Sequence, residues 1–488
     1  MERRVKIAIT LGPATDRPGV LEALIEAGAD VARINYSHGD SATNARRARR
    51  LRTAARKAGR PVALLADLQG PRFRLGVIPG GPRTLDDGAK VVLFAGADAA
   101  GIGAIPVALP ALARTVKRDH RILIDDGRVE LVVRSVRGPR VHATVRRGGT
   151  VSDRKGINLP DGAPNVAALT AKDRRDLAHA VEIGADWLAV SFVRRGADIR
   201  TARRKLHALG ADLPILAKIE CAEAVESLDG LLQEADGILV ARGDLGVELP
   251  TERVPIVQKN IIEAANRAGV PVMTATQMLD SMRHAPRPTR AEASDVANAV
   301  LDGSGCLLLT AETAAGDYPV ESVRTMNAIV CEAEACGRTI VPEPGRPLSV
   351  AEATCLAAGN VASEIGARWI VAYTGSGFTA RQIARFRPDT SILAYTPNPE
   401  VQRRVALIWG VTSRGLGRRR DVDALIRVLD RELLKDHLAK RGDLIVVLTG
   451  SPIGVQGSTN LMKVHAVGES PGRTGTPRVD RRRRRRPV

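Results

Sequence analysis

The chain has 488 residues, of which 44 % are hydrophobic and 2 % aromatic, and 73 Lys and Arg stand against 54 Asp and Glu. This length is too great for one core, so we expect two or three domains with aliphatic interiors. Charged residues or glycine interrupt every apolar run, which excludes a membrane span, and residues 1–10 lack the apolar centre of a secretory signal. The five cysteines form no CxxC pair, which indicates thiols in a reducing compartment and predicts a cytoplasmic protein.

The net charge of +19 is uneven along the chain. Residues 471–488 hold eight arginines against one acid, a net +7, and we expect a disordered Arg-rich tail there whose role stays open. For the remaining +12, one interpretation is nucleic-acid binding, and the other is a solvated basic surface suited to anionic substrates. The lack of aromatic residues for base stacking counts against nucleic acid.

Short aliphatic runs alternate with helix-length segments, a rhythm typical of βα units around a parallel sheet. The predicted strands are Val5–Leu11, Asp30–Tyr36, Val62–Leu68, Trp187–Phe192, Pro214–Ile219, Gly237–Ala241, Pro271–Thr276 and Cys306–Thr310. Eight such strands close a TIM (β/α)8 barrel, which predicts an α/β fold.

The pattern breaks twice. Between the third and fourth strands, residues 72–165 are rich in Gly and Pro with short alternating runs, which predicts a small inserted β-barrel domain. After residue 347 a second α/β unit follows, with strands predicted at Trp369–Tyr373, Ser391–Tyr395, Val411–Ser413 and Leu444–Leu448. We therefore predict a discontinuous barrel domain at 1–70 and 166–340, an inserted lid at 71–165 and a C-terminal α/β domain at 348–470.

Every predicted barrel strand ends in a charged or hydroxyl residue. These ends are Thr10, Arg33 to His38, Asp67, Ser191, Lys218 to Glu220, Arg242 to Asp244, Thr276 to Gln277 and Thr310 to Glu312. Barrel enzymes build their sites at this face, so we expect an active site that joins cations and acids around a polyanionic substrate and a divalent metal. A ring of mutually paired charges is the alternative.

Lys218 and Glu220 are two residues apart on one strand, so their side chains point to the same face. Asp244 ends the next strand in Ala-Arg-Gly-Asp-Leu-Gly, where glycines let backbone N–H groups approach an anion. Two carboxylates from adjacent strands are typical of a Mg²⁺ site. His38 and His284 are isolated, and their sequence context alone favours structural roles.

Five segments resemble the pyruvate kinase family. They are Val31–Gly39, Lys218–Glu220, Ala241–Glu248, Ala275–Met282 and Pro288–Gly303, the last reading Pro-Thr-Arg-Ala-Glu-Ala-Ser-Asp-Val-Ala-Asn-Ala-Val-Leu-Asp-Gly. The resemblance spans residues 5–468. It implies the last step of glycolysis, in which a phosphoryl group passes from phosphoenolpyruvate to ADP to give pyruvate and ATP. It also implies Mg²⁺ or Mn²⁺ as cofactor and a homotetramer.

The resemblance also assigns roles to individual residues. Lys218, Thr276 and Arg33 look catalytic, and Glu220 and Asp244 look like the metal ligands. Lys218, Thr276 and the segment Arg242, Gly243, Asp244 resemble the substrate contacts. Arg33, Asn35, His38, Arg74 and Lys155 resemble the nucleotide contacts. A barrel aldolase or lyase of keto acids is the nearest rival, but it would need neither Lys218 nor the inserted domain.

Two features concern small ligands. Many family members hold K⁺ with oxygens resembling Asn35, Ser37, Asp67 and the carbonyl of Leu68, and carry Glu at the position of Arg72; members with Lys there do not need K⁺. Arg72 supplies a permanent charge, so we expect K⁺ independence, unless Arg72 points to solvent.

Thr374, Ser376 and Thr379 precede a predicted helix, which indicates either a sugar-phosphate or nucleotide effector loop or an ordinary turn.

Overall fold

A computed structural model describes residues 3–96, 103–162, 166–337, 346–419, 421–453 and 457–469. Eight parallel strands close into a barrel, so the predicted fold class is confirmed. They are Lys6–Thr10, Val31–Asn35, Ala63–Asp67, Trp187–Val190, Ile215–Ile219, Gly237–Ala241, Val272–Ala275 and Cys306–Leu308. The first strand pairs with both the second and the eighth, with Ala8 opposite Val31 and Lys6 opposite Cys306. The Arg-rich tail lies outside the described residues.

The barrel strands are buried on both faces, which is why each is a nearly continuous aliphatic run. Helices cover the outside of the barrel and turn their apolar faces inward. The α-helices of this part of the chain are Val20–Glu26, Ser41–Lys57, Ala171–Glu182, Gly196–Ala208, Ala222–Glu226, Leu228–Glu234, Arg242–Glu248, Val254–Ala268, Arg290–Leu301, Ala311–Ala314 and Pro319–Ala335, with 3-10 turns at Pro13–Asp16, Thr251–Arg253 and Asp280–Arg283. Across the described residues, no helix combines the length and apolarity needed to cross a bilayer.

The inserted segment forms a seven-stranded, mainly antiparallel sheet and a separate two-stranded one. The seven strands are Phe73–Arg74, Lys90–Ala95, Ile105–Val107, Arg121–Ile124, Val129–Arg137, Arg140–Arg147 and Gly156–Asn158; the pair is Arg83–Leu85 with Gly149–Val151, and one short helix spans Leu112–Thr115. A bridge between Leu75 and Val107 nearly closes the larger sheet. Its inner side is a separate aliphatic cluster that includes Leu93, Leu131 and Val141.

The C-terminal segment forms a five-stranded sheet. Four strands, Trp369–Tyr373, Ile392–Thr396, Val411–Gly415 and Leu444–Gly450, are parallel, and Thr459–Ala466 joins the edge antiparallel to the last of them. The helices Val350–Glu364, Phe378–Arg385, Pro399–Arg404 and Val422–Lys435, with the 3-10 turn Val405–Leu407, pack around it. The sequence predicted the four parallel strands but not the edge strand. The domain boundaries stay predictions.

The barrel interior and the C-terminal sheet share one hydrophobic cluster. Barrel residues such as Ala63 and Leu216 belong to the same buried group as Ile370 and Val446 of the sheet. Polar links reinforce this junction at the amino-terminal ends of the barrel strands. The Trp187 indole donates to the carbonyl of Arg404 at 2.9 Å, and Lys6 Nζ donates to the carbonyl of Val411 at 2.8 Å. The C-terminal segment therefore closes the floor of the barrel.

Candidate active site

Lys218 is the centre of a buried polar cluster at the carboxyl ends of the barrel strands. Its Nζ lies 2.7 Å from Ser191 Oγ, 2.9 Å from Glu220 Oε1 and 3.2 Å from Asp67 Oδ1. Burial alone would lower the pKa of Lys218, but the carboxylates of Asp67 and Glu220 outweigh it and raise that pKa above its usual value. The structure therefore brings a permanently charged ammonium to the rim, where the sequence predicted it.

The negative charge of Glu220 is less fully balanced by its neighbours than the positive charge of Lys218. It is fully buried, and its Oε2 accepts the Phe192 N–H at 2.7 Å. Oε1 contacts the Lys218 ammonium, but no donor meets it in hydrogen-bonding geometry. Burial raises the pKa of Glu220 to about 7; Lys218 opposes the rise, and Asp244 adds to it. Lys218 stays charged more readily than Glu220 because two carboxylates contact Lys218. Glu220 shares that one ammonium with Asp67, and the negative charge of Asp244 opposes its ionisation.

This carboxylate fits a divalent cation. Its buried Oε1 shares one ammonium with Asp67, and Asp244 adds a second negative charge nearby, so a hard cation would stabilise this pair of acids. Within the part of the chain that the structure describes, no group of three or more His, Cys, Asp or Glu side chains stands close enough to hold an ion. A cation at Glu220 and Asp244 would therefore complete its coordination with oxygens of bound ligands and water.

Arg33 and Asp67 form a second part of the rim. Arg33 Nε donates to Asp67 Oδ2 at 2.6 Å, and the positive charges of Lys218 and Arg33 hold the pKa of Asp67 below its usual value despite its burial. Three of the four residues expected to surround a monovalent cation, Asn35, Asp67 and Leu68, each accept at least one protein donor. Asn35 Oδ1 accepts the Ser37 N–H at 3.0 Å, and the Leu68 carbonyl accepts the Ser191 hydroxyl at 2.7 Å.

The segment 242–244 lies beside Thr276, the other predicted substrate contact at this part of the rim. The Gly243 N–H donates to Thr276 Oγ1 at 2.8 Å, so this amide is already engaged. The Arg242 guanidinium is held by Asp295 at 2.6 Å and by the carbonyl of Thr276 at 2.5 Å. Thr276 has φ of 72°, a left-handed conformation rare outside glycine. The structure thus presents the Thr276 hydroxyl and leaves the Arg242 side chain in structural contacts.

A cleft of about 320 Å³ lies between this rim and the inserted sheet. Its wall includes Arg72, Arg74, Asp125, Lys155, Asp244 and Glu248. Lys155 Nζ donates to Asp125 Oδ1 at 2.8 Å, and Arg74 donates to the carbonyl of Arg154 at 3.0 Å. Both predicted nucleotide contacts of the inserted segment therefore face the space next to Asp244.

Arg72 and His38 lie on the barrel side of that cleft. The Arg72 guanidinium is exposed, yet its Cζ lies 5.9 Å from the ring centre of Phe192, so it is not directed only into solvent. Partial burial lowers the pKa of His38, and the charges of Arg72, Arg33 and Arg74 lower it further. His38 therefore lies near the arginines of the site, whose charges favour its neutral form, whereas His284 is an exposed partner of Asp317.

The predicted effector loop lies far from these groups, next to the barrel floor. Of its three residues only Ser376 is exposed; the Thr374 hydroxyl accepts the Gly377 N–H at 2.9 Å, and Thr379 pairs with Thr459 at 2.7 Å. Ser376 borders a cavity of about 410 Å³ between the C-terminal segment and the barrel. Arg203, Phe378, Arg381 and Arg404 also line it.

Ser191 is a site residue that the sequence reasoning did not assign. It accepts from Lys218 and donates to Leu68, so it links the ammonium to the third barrel strand. Its place at the end of the fourth strand was the available signal. Glu248 was also passed over; it lies in the cleft wall, and Asn158 of the inserted sheet donates to it at 3.4 Å.

Two family models match the chain. The model of the pyruvate kinase barrel domain matches residues 2–323, and that of the pyruvate kinase alpha/beta domain matches residues 352–465. The pyruvate kinase of Mycobacterium tuberculosis is 44 % identical over 96 % of this chain and 99 % of its own length. That of Geobacillus stearothermophilus is 41 % identical over 96 % of this chain and 81 % of its own length.

A solved structure agrees with these matches. The crystal structure of a pyruvate kinase from Cryptosporidium parvum aligns with a TM-score of 0.89 and 33 % identity over 95 % of this chain and 96 % of that chain. The family models, the relatives and the barrel geometry lead to the same assignment. The chain belongs to the pyruvate kinase family, whose members are phosphotransferases that form pyruvate from phosphoenolpyruvate and ADP.

Proposed function

We propose that this enzyme carries out its phosphoryl transfer at the Lys218 cluster, with the nucleotide in the adjoining cleft. The carrying observation is the buried Lys218 ammonium, which lies 2.9 Å from Glu220 Oε1 and 3.2 Å from Asp67 Oδ1. In this proposal Arg33 and Lys218 face the transferring phosphoryl group. The N–H groups of Arg242, Gly243 and Asp244 receive the substrate carboxylate, which replaces the Thr276 hydroxyl at Gly243. Arg33, Asn35, His38, Arg74 and Lys155 contact the nucleotide.

The chemistry suits these groups. Phosphoryl transfer has a loose transition state with charge on the equatorial oxygens, so fixed positive charges carry much of the catalysis. Lys218 meets this need without moving, because Asp67, Ser191 and Glu220 already hold it. The enolate of pyruvate that remains must then receive a proton at its terminal carbon. Thr276 supports this step by presenting its hydroxyl at the rim.

Mg²⁺ or Mn²⁺ is the proposed cofactor, held by Glu220 and Asp244. When bound, such an ion neutralises phosphoryl oxygens and the enolate oxygen. Glu220 supplies Oε1, which shares the Lys218 ammonium with Asp67, and Asp244 brings a second carboxylate from the end of the next strand. The enzymes of this family are generally metal-dependent, and the choice of metal and residues is our proposal.

The direct test is a coupled assay of pyruvate formation from phosphoenolpyruvate and ADP in variants of the cleft. Arg74→Met and Lys155→Met should raise the KM for ADP roughly tenfold and change the KM for phosphoenolpyruvate little, because both side chains lie in the cleft wall. Arg118→Met, a lid arginine whose side chain is 79 % exposed, is the control. Unchanged KM values for ADP in both cleft variants would contradict the nucleotide assignment.

We propose that the enzyme works without K⁺ because Arg72 supplies the charge. Two observations support this: Arg72 Cζ lies 5.9 Å from the ring centre of Phe192 beside the rim, and its charge adds to partial burial in lowering the pKa of His38. Arg72→Glu should create a K⁺ requirement of tenfold or more, since it exchanges the fixed cation for an acid. Activity in tetramethylammonium and in K⁺ salts at equal ionic strength measures this.

Wild-type enzyme and Arg72→Met are the controls for that experiment. The wild type should respond less than twofold to K⁺, and the neutral Met variant should fall between it and the Glu variant. Stimulation of the wild type by tenfold or more would overturn the assignment.

We further propose that the cavity at Ser376 binds a sugar-phosphate or nucleotide effector. The helix Phe378–Arg385 begins there without a side-chain cap, and Arg381 adds a positive charge. Arg381→Met should leave the basal kcat unchanged and abolish the response to an activating ligand. The half-saturating phosphoenolpyruvate concentration, measured with fructose 1,6-bisphosphate, glucose 6-phosphate and AMP, tests this. A retained response in Arg381→Met would favour the ordinary-turn interpretation.

The proposal also includes an oligomeric state and a cellular compartment. We expect a homotetramer, which light scattering of the purified enzyme would test. We also place the enzyme in the cytoplasm. All five cysteines, which lie within the described residues, are free thiols, as expected in a reducing compartment.

A further inference from the structure

Two chain segments connect the barrel to the inserted sheet, and one buried carboxylate contacts both sides. Asp173, on the helix Ala171–Glu182, has no solvent exposure. Its Oδ1 accepts the N–H of Gly70, which lies on the segment leaving the third barrel strand, at 3.0 Å. Its Oδ2 accepts the N–H of Thr170 at 2.9 Å and the Thr170 hydroxyl at 2.5 Å, where the chain re-enters the barrel wall.

The segment that leaves the third barrel strand has little free space around Gly70. Gly70 has φ of +70°, and a Cβ there would stand 2.9 Å from Ser191 Cβ. Two residues earlier, the Leu68 carbonyl accepts the hydroxyl of Ser191, which itself accepts from Lys218. Two residues later, Arg72 lies over the ring of Phe192. Lys218 is also held by Asp67 and Glu220, so a shift at Gly70 would mainly change the direction in which the chain enters the inserted sheet.

Helix capping does not require the Gly70 contact. Asp173 and Thr170 form a capping box, and the next barrel helix, Gly196–Ala208, has an aspartate at the same position. There Asp198 accepts the N–H groups of Arg194 and Arg195, at 2.9 and 3.3 Å, both within four residues. Asp173 instead reaches 103 residues back along the chain to Gly70. The added hydrogen bond joins two segments that no local motif would join.

We propose that Asp173 is a positioning residue that fixes both connections of the inserted sheet and so sets where Arg74 and Lys155 stand over the cleft. This inference rests on the proposed nucleotide site. Hinges of moving elements are typically a few residues whose backbone is held at defined positions. A buried carboxylate that accepts from two backbone N–H groups holds both backbone segments in place, because leaving either donor without a partner is unfavourable.

The test compares Asp173→Asn with Asp198→Asn and Thr170→Val in the full-length enzyme. Asn offers one acceptor oxygen where Asp offers two, so Gly70 and Thr170 must compete for it. We expect Asp173→Asn to raise the KM for ADP roughly tenfold and the KM for phosphoenolpyruvate less than about twofold. Asp198→Asn loses only a cap, and Thr170→Val keeps the Gly70 bond, so both should leave the KM for ADP within about twofold.

Hydrogen exchange of the peptide covering residues 68–75 gives a readout independent of activity. It should accelerate in Asp173→Asn and stay at the wild-type rate in Asp198→Asn. Equal behaviour of the two Asn variants in both measurements would show that Asp173 is only a helix cap. If Asp173→Asn does not fold, the wild-type enzyme decides: rapid exchange of the Gly70 amide in the native state overturns the proposal, and strong protection supports it.

The same measurements separate this inference from the nucleotide assignment on which it rests. If Arg74→Met and Lys155→Met leave the KM for ADP unchanged, the nucleotide assignment fails. Faster exchange at residues 68–75 in Asp173→Asn would still show that Asp173 holds the segment that leaves the barrel. If exchange in that variant is normal and the two cleft variants have raised KM values for ADP, the role of Asp173 is rejected and the nucleotide assignment stands.

Discussion

Replacing Lys218 with methionine should lower kcat about a hundred- to a thousandfold or more, the usual effect of removing one preorganised charge from a transition state. The binding of phosphoenolpyruvate should persist, since the backbone amides of residues 242–244 remain. Methionine also leaves Asp67 and Glu220, 1 % and 0 % exposed, without their shared ammonium. Stability should therefore fall too, because a buried charge without its partner is costly.

Three measurements separate the loss of catalysis from the loss of folding. Calorimetry sets a temperature at which the variant is folded, the coupled assay gives kcat there, and isothermal titration gives phosphoenolpyruvate affinity. Lys57→Met, on the exposed end of the helix Ser41–Lys57, should behave like the wild type. A folded Lys218→Met enzyme that keeps a tenth of the wild-type kcat would contradict the role assigned to Lys218.

The second large effect is expected at Glu220 and Asp244, the proposed metal ligands. Glu220→Gln and Asp244→Asn should each raise the Mg²⁺ concentration for half-maximal activity about tenfold or more and lower kcat, because the ion has few protein ligands. Glu220→Gln should have the larger effect, since Glu220 is fully buried whereas Asp244 is partly exposed to solvent, which screens its charge. Mn²⁺ binding followed by paramagnetic resonance reports the affinity without turnover.

Glu248→Gln is the matched control, because Glu248 is a carboxylate of the same cleft wall that already accepts from Asn158 and Ala222. Its metal titration should match that of the wild type. An unchanged titration in Glu220→Gln or Asp244→Asn would exclude that residue as a ligand.

The barrel was predictable because its strands are aliphatic runs that end abruptly in polar residues. The predicted fourth and seventh strands extend past the observed carboxyl ends at Val190 and Ala275, and there is a physical reason. Phe192 and Thr276 have φ of 52° and 72°, so the backbone turns away from the strand just where it presents site groups. The edge strand Thr459–Ala466 was missed because it is half exposed and lacks a continuous apolar run.

The site was predictable where a local rule sufficed. Lys218 and Glu220 stand two apart, and the structure places their charged atoms 2.9 Å apart. The orientation of Arg242 depends on Asp295, 53 residues later, and no local spacing indicates that contact. Ser191 was at a predicted strand end, but a hydroxyl becomes informative only when its partners are known.

The cluster that joins the barrel interior to the C-terminal sheet has a consequence for how this enzyme can be divided. Side chains such as Ala63 and Leu216 lie in the same buried cluster as Val405 and Leu407, whose 3-10 turn packs against the strand Ala63–Asp67 at the lower end of the barrel. Without this packing, the lower end of the barrel would expose aliphatic surface to water. We therefore expect the barrel to depend on the C-terminal segment for stability, so gene fusions or domain exchanges should keep residues 3–337 and 346–469 together.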